Sequence, residues 1–293
     1  MDLKNGLNGR RGVTPTDKVF LAFLAVDTAV IFVNASRLTL LPLLLLVNAA
    51  AVGLVALAAR LPAAMPAWMR WLSTTYPLIL TLAFYTQIGL IHQDVGRLHD
   101  TAVQAWDRAL FGSDISVTWH RRMPSAALSS ILHFCYAAFY PMVLLPPFLL
   151  FVRASREQFD RAMLELTLTL YICYATFALF PVAGPRYFWG AATGPEAGVP
   201  MARFVHDVLE GGSAYGTAFP SSHIAASWCA VAILVPTHPR LALVLSPIAV
   251  GLALGTVYGQ FHYGVDALAG GLLALLLYLF VQRRPGGLQA GRP

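Results

Sequence analysis

The chain has 293 residues, 57% of them hydrophobic and only 12% charged, with a mean hydropathy of +0.64. A soluble domain carries about 25% charged residues, so this composition excludes a water-coated globule and indicates a polytopic membrane protein. The net charge of +6 then bears on orientation in a bilayer, and nucleic acid is not an expected partner.

Residues 1–18 form a basic N-terminus. Eight apolar segments follow, each near the ~20 residues that cross a bilayer as a helix: 19–35, 38–60, 72–92, 126–152, 162–182, 221–237, 241–258 and 264–282. The first is read as a retained span, because no small-residue cleavage site follows it. Its Asp27 is expected to face a neighbouring helix. Pro77, Pro141, Pro146, Pro147 and Pro247 are compatible with spans whose neighbours satisfy the freed backbone groups. Cys135, Cys173 and Cys229 sit in apolar runs without paired spacing and read as packing residues.

Two connecting segments have their own pattern. Residues 94–111 place Val95, Leu98, Ala102, Ala105, Trp106, Ala109 and Leu110 at helical spacing, with most charges on the other side, which predicts an interfacial amphipathic helix. Residues 200–210 begin at Pro200 and end before Gly211-Gly212, which predicts a short helix. The tail, 283–293, is expected to be disordered.

With the N-terminus in the cytoplasm, 13 of the 20 basic residues fall on the inner side. Six of the other seven lie in two long loops, where the positive-inside rule is weaker. The expected location is the cell (inner) membrane, with segments 183–220 and 259–263 both on the extracytoplasmic side.

Two short stretches on that side carry most of the chemistry. His262 and Asp266 are four residues apart, so on a helix they share a face and the carboxylate can hold one imidazole nitrogen. The other nitrogen is then free to attack phosphorus or take a proton. A structural His–Asp pair is the bland alternative. In Pro220-Ser221-Ser222-His223 a serine can cap a helix whose N-terminus suits an anion. Ser221 and Ser222 add hydroxyl donors there, and His223 is placed to protonate a leaving alkoxide. Arg186, in Gly184-Pro185-Arg186, is suited to bidentate phosphate binding.

Other polar residues rank lower. His133, Tyr136 and Tyr140 lie on one stripe of the fourth span, as core packing or as the wall of a lipid cavity. His206 and Asp207 are candidates for headgroup contact. His92, Asp94, His99 and Asp100 fit no recognised metal-ligand spacing. No metal and no other cofactor is expected.

These motifs resemble the type 2 phosphatidic acid phosphatase superfamily of lipid phosphatases, phosphotransferases and vanadium haloperoxidases. Its central Pro-Ser-x-His is matched by Pro220, Ser221, Ser222 and His223, and its final His-x-x-x-Asp by His262 and Asp266. The resemblance implies that His262 forms a phosphohistidine, that Asp266 orients it and that His223 is the general acid. It also implies an all-α helical membrane protein, with a six-span phosphatase-type core over 72–282 and a two-span hairpin, 19–60, as an N-terminal addition.

Two cationic positions of the family pattern are absent. Leu179 stands where the first motif has Lys, and Gly255-Thr256 where the third has Ser-Arg. Thr256-Val257-Tyr258 before His262-Tyr263 resembles the branch of inositol phosphorylceramide synthases, which makes Tyr258 and Tyr263 possible substrate contacts. The implied activity is metal-independent phosphoryl transfer on a membrane lipid, as a phosphatase or as a headgroup transferase with an alcohol or lipid acceptor. A transporter or scaffold keeping a dead site is the rival from another class, and a soluble-type haloperoxidase is opposed by the apolar spans.

Overall fold

The computed structural model describes residues 9–282 apart from residues 191 and 195. The tail 283–293 and the first eight residues of the basic N-terminus lie outside the described residues. The fold is all-α: α1 (Pro15–Val33), α2 (Leu41–Arg60), α3 (Ala67–Ile79), α4 (Thr81–Val95), α5 (Asp100–Phe111), α6 (Ile115–Arg122), α7 (Ala126–Ala137), α8 (Phe139–Arg153), α9 (Arg156–Leu179), α10 (Pro185–Trp189), α11 (Pro200–Gly212), α12 (Ser222–Leu234), α13 (Pro239–Tyr258) and α14 (Gly264–Gln282). Five stretches among the described residues are long and apolar enough to cross a membrane: 41–60, 67–95, 126–153, 156–179 and 239–258. The protein is therefore a multi-pass membrane protein. α1 is comparably long but carries Asp17, Lys18 and Asp27, and α12 has only 13 residues.

Two of the apolar segments are broken helices. α3 gives way to α4 at Leu80, and α7 to α8 at Ala138. Pro77 cannot bond the carbonyl four residues before it, and Arg11 fills that place by donating to the Ser73 oxygen at 2.6 Å. The Pro77 carbonyl in turn accepts from Tyr171 Oη at 2.6 Å. The freed backbone groups are thus satisfied by neighbours, as an apolar surrounding requires.

α1 starts with a capping box, in which Thr14 Oγ1 accepts from Asp17 N and Asp17 Oδ2 accepts from Thr14 N. Ser155 and Gln158 form the same device at α9. α1 then runs inside the bundle. Its Phe20 and Phe23 pack on Phe84 of α4 and Tyr171 of α9, with ring centroids 4.7 to 5.5 Å apart. Asp27 is fully buried and accepts from Asn48 of α2 at 2.9 Å and Gln87 of α4 at 2.6 Å, so it does face neighbouring helices. α2 is peripheral: 28% of its apolar window is buried against 61% for α9. The two N-terminal helices therefore differ, one being part of the core and the other lying outside it. All three cysteines are buried and free, as packing residues.

Residues 11–16, 65–74 and 156–164 line one cavity at one end of the bundle. The end of α4, the end of α9, the start of α12 and the segment after α13 meet at the other, where His92 Nε2 lies 2.9 Å from the Phe177 oxygen and Ser221 N donates to Asp266 O. The segment 94–111 differs from its expected single helix. Gly96 is left-handed (φ 67°) and ends α4, and α5 begins only at Asp100. α5 also turns its acids inward: Asp100 and Asp107 are buried, whereas Trp106 and Leu110 are exposed.

Candidate active site

Three strands of chain converge at this end. Val182 N donates to Gly216 O at 3.2 Å and Ala218 N to Val182 O at 2.8 Å, joining the segment after α9 to the one before α12. Ser221 is the N-cap of α12 and puts His223 in its first turn. After α13, the amides of Phe261 and His262 both donate to Thr256 O, at 2.9 and 3.0 Å. That turn aims the His262 ring back toward α12. Gly255 is needed beside it, because a Cβ there would come within 2.6 Å of the Leu132 carbonyl oxygen on α7.

The His223 and His262 rings lie with centroids 5.8 Å apart. Asp266 Oδ2 is 3.4 Å from His262 Nδ1, which is a contact and not a well-formed hydrogen bond. The directed bond of that carboxylate comes from Tyr263 N, at 2.9 Å. Asp266 thus caps α14 and the turn carrying His262, while touching the ring. Burial lowers the His262 pKa to about 4, with the Ala218 carbonyl offsetting part of the effect. The ring is therefore neutral at pH 7 and its lone pair is available. Tyr136 lies against His223, with ring centroids 5.2 Å apart and Oη 3.4 Å from Nε2.

Arg186, in α10, lines one small polar pocket of about 30 Å³ together with Tyr136, His223 and His262. No carboxylate lines it. The Arg186 Nη1 is buried and has no hydrogen-bond partner among the described residues. His223 Nδ1, His262 Nδ1 and Ser221 Oγ share that condition. Buried polar groups are nearly always paired, and three of the unpaired ones, Arg186 Nη1, His223 Nδ1 and His262 Nδ1, belong to residues that line this one pocket, which suits it to a polar ligand.

The remaining candidates separate. Ser221 and Ser222 are buried at the start of α12, and Ser222 and Tyr140 line an adjoining apolar cavity. His206 stands beside Phe261 and His133, at centroid distances of 5.3 and 5.9 Å, and does not line the small pocket. Its pKa is lowered by burial and by His133 and Arg186. Tyr258 and Tyr263 also lie off the pocket, and their hydroxyls are committed. Tyr258 donates to Met123 O at 2.8 Å and Tyr263 to Asp100 Oδ1 at 2.9 Å. Leu179 is exposed and contributes nothing to the pocket wall.

Two further groups of residues shape the site in ways not expected from the sequence. Asp100 accepts from Ala183 N and Gly184 N, both at 2.8 Å, besides Tyr263 Oη, so it holds the Arg186 loop to the His262 turn. Asp107 accepts from Val265 N at 2.9 Å at the start of α14, and burial raises its pKa. Tyr85, Tyr187, Ser213 and Thr217 join the pocket wall from three separate segments: α4, α10 and the connection between α11 and α12. The acids share the inward face of α5, a periodicity visible in the sequence, but the tyrosines carried no motif. His92, Asp94 and Asp100 are engaged separately, with Phe177 O, Thr39 N and the Ala183–Gly184 amides respectively.

Residues 101–280 match the family model described as the PAP2 superfamily. That is more than half of the chain, so the protein belongs to this superfamily, which supports a phosphatase- or phosphotransferase-type enzyme. The match begins within α5 and leaves α1 to α4 outside it. No curated protein and no solved structure gives a significant match to the chain.

Proposed function

We propose that the protein transfers a phosphoryl group from a membrane lipid through a phosphohistidine at His262, on the extracytoplasmic face. The observation that carries this is Arg186, its Nη1 buried without a hydrogen bond among the described residues, in one pocket with two histidines and no carboxylate. A phosphate oxygen would satisfy it bidentately. The His262 nitrogen attacks phosphorus as the bond from phosphorus to the lipid oxygen breaks, and His223 gives its proton to that oxygen. Water or an alcohol then attacks the phosphohistidine, loses its proton to His223 and releases neutral His262. Splitting the displacement in two replaces one difficult step by two easier ones. Asp266 positions His262 through the turn at Tyr263.

A headgroup transferase resembling inositol phosphorylceramide synthases is the second form of this function. One arginine and five hydroxyl-bearing residues, Tyr85, Tyr136, Tyr187, Ser213 and Thr217, line the pocket. A singly charged phosphodiester with a polyol headgroup suits that wall better than a doubly charged monoester does. With the N-terminus in the cytoplasm, 13 of the 20 basic residues fall on the side opposite the site, which supports this sidedness. The membrane part divides into six crossings that carry the site and two N-terminal ones.

Labelled enzyme denatured at alkaline pH, where the phosphorus–nitrogen bond of a phosphohistidine survives, tests the intermediate. Label from a phosphate-labelled lipid is expected on His262 in the His223→Ala variant, whose turnover is slowed. Label on no histidine would remove the covalent mechanism. Supplying polyol or lipid acceptors then separates release of inorganic phosphate from formation of a new headgroup lipid.

A further inference from the structure

A second cavity, of about 300 Å³, adjoins the small pocket and shares Tyr85, Leu209 and His223 with it. Its remaining wall is mostly apolar and runs down the broken helices. α3 and α4 contribute residues from Trp71 to Tyr85, and α8 contributes Phe139 to Pro147. At about 1.5 Å per residue, the α3–α4 wall is roughly 20 Å long, about two-thirds of a ~30 Å hydrocarbon core. Ile79 and Leu82 on one side and Tyr140 and Leu144 on the other both line the cavity and are exposed. They mark a mouth that opens sideways between α4 and α8, toward the surface that faces lipid in a membrane. Thr75 and Thr81 are polar, but each hydroxyl is spent on a carbonyl of its own chain, Trp71 O and Leu78 O, at 2.8 and 2.5 Å. They therefore turn little polarity into the groove.

Both helix breaks fall along this groove. The chain breaks at Leu80 and at Ala138, and the flanking residues Ile79, Thr81 and Phe139 line the groove. An unbroken pair would close ridges into grooves along its length.

We propose that this groove holds one hydrocarbon chain of the substrate lipid, and that Trp71 at its far end sets the chain length the enzyme accepts. The inference rests on the phosphoryl-transfer reading for the headgroup end, where His223 stands at the junction of the two cavities. The occupant is a lipid chain because the groove is apolar, opens laterally and ends beside the histidines. A soluble phosphate ester would use the small pocket alone. A chain entering at His223 extends past the bilayer midplane before it meets the indole of Trp71.

The full-length protein in phosphatidylcholine vesicles can be photolabelled with phosphatidate or phosphatidylinositol carrying a diazirine at one end of an acyl chain. The terminal probe is expected to label the peptide holding Trp71 and Thr75. The probe near the ester is expected to label the peptide holding Tyr140 and Val143. Identical labelling by both probes, or labelling confined to α2, would overturn the proposal.

Turnover of a chain-length series gives the second test. In Leu78→Trp, the ratio of kcat/KM for long over short chains is expected to fall tenfold or more, and in Trp71→Ala the preferred length is expected to increase. An unchanged length profile in both variants counts against the groove as the chain site. If the unmodified protein turns over no phospholipid, the catalytic reading fails, and the photolabelling pattern still decides the groove.

Discussion

Both ends of the bundle place an arginine beside ionisable groups, and they do so in opposite ways. At the end away from the histidines, Arg11 is held by Asp17 at 2.8 and 3.2 Å and also donates to Ser73 O. Tyr76 Oη completes Asp17 at 2.7 Å. At the other end, Arg186 Nη1, His223 Nδ1 and His262 Nδ1 have no hydrogen-bond partner among the described residues. Satisfied buried charge is architecture, since its interactions offset its desolvation. Buried polar atoms left without hydrogen bonds are a standing cost that a ligand can relieve. The contrast separates structure from chemistry where residue type alone does not.

Substitutions can break that comparison at either end. His262→Ala should reduce turnover by about 10⁴-fold or more, as loss of a nucleophile does, while the thermal midpoint of the purified protein holds. Retained turnover would remove the nucleophile. Arg11→Met should do the reverse. It strands Asp17 in the interior and costs about 3–5 kcal/mol of stability, with activity per folded molecule kept. A stable variant with impaired catalysis would show that the two ends are not functionally distinct. Arg186→Lys sharpens the site end. Losing a bidentate fork, at about 1.5–3 kcal/mol for hydrogen bonds to a charged group, should lower kcat/KM roughly 10- to 100-fold.

Two smaller effects refine the same contrast. Asp100→Asn weakens the brace between the Arg186 loop and Tyr263, and should raise KM by several-fold while leaving phosphohistidine formation detectable. The pH profile comes last. Because burial holds the His262 pKa at about 4 and not at the usual 6.5, its nucleophilic form persists as pH falls through 6. The acid limb of kcat/KM due to this group should lie near pH 4. A limb at 6.5 that disappears on changing His262 would show the ring to be solvated.

Much of this was legible in residue order. The apolar runs correspond to α1, α2, the α3–α4 pair, the α7–α8 pair, α9, α12, α13 and α14, because apolar length is a local property. His223, His262 and Arg186 were recognisable from Pro-Ser-x-His, His-x-x-x-Asp and Gly-Pro-Arg, and the structure brings all three to one pocket. Tyr258 and Tyr263 were less legible. The resemblance to the inositol phosphorylceramide synthase branch suggested substrate contact, yet both hydroxyls reach back to Met123 and Asp100. For α5, periodicity identified two faces, but it could not say that the acidic one turns inward.

Composition and periodicity by themselves determined that this is a helical membrane protein, and short motifs determined which residues could handle phosphate. Those are properties of neighbours in the chain, set by apolar length and by i to i+4 spacing. Tertiary structure alone decided that α1 enters the core while α2 stays outside. It also decided that Asp266 meets the His262 ring at 3.4 Å while its directed bond goes to Tyr263 N. The hydroxyl wall and the lateral groove belong to the same class. They assemble side chains more than a hundred residues apart, from Trp71 to His223, and only packing brings such positions together.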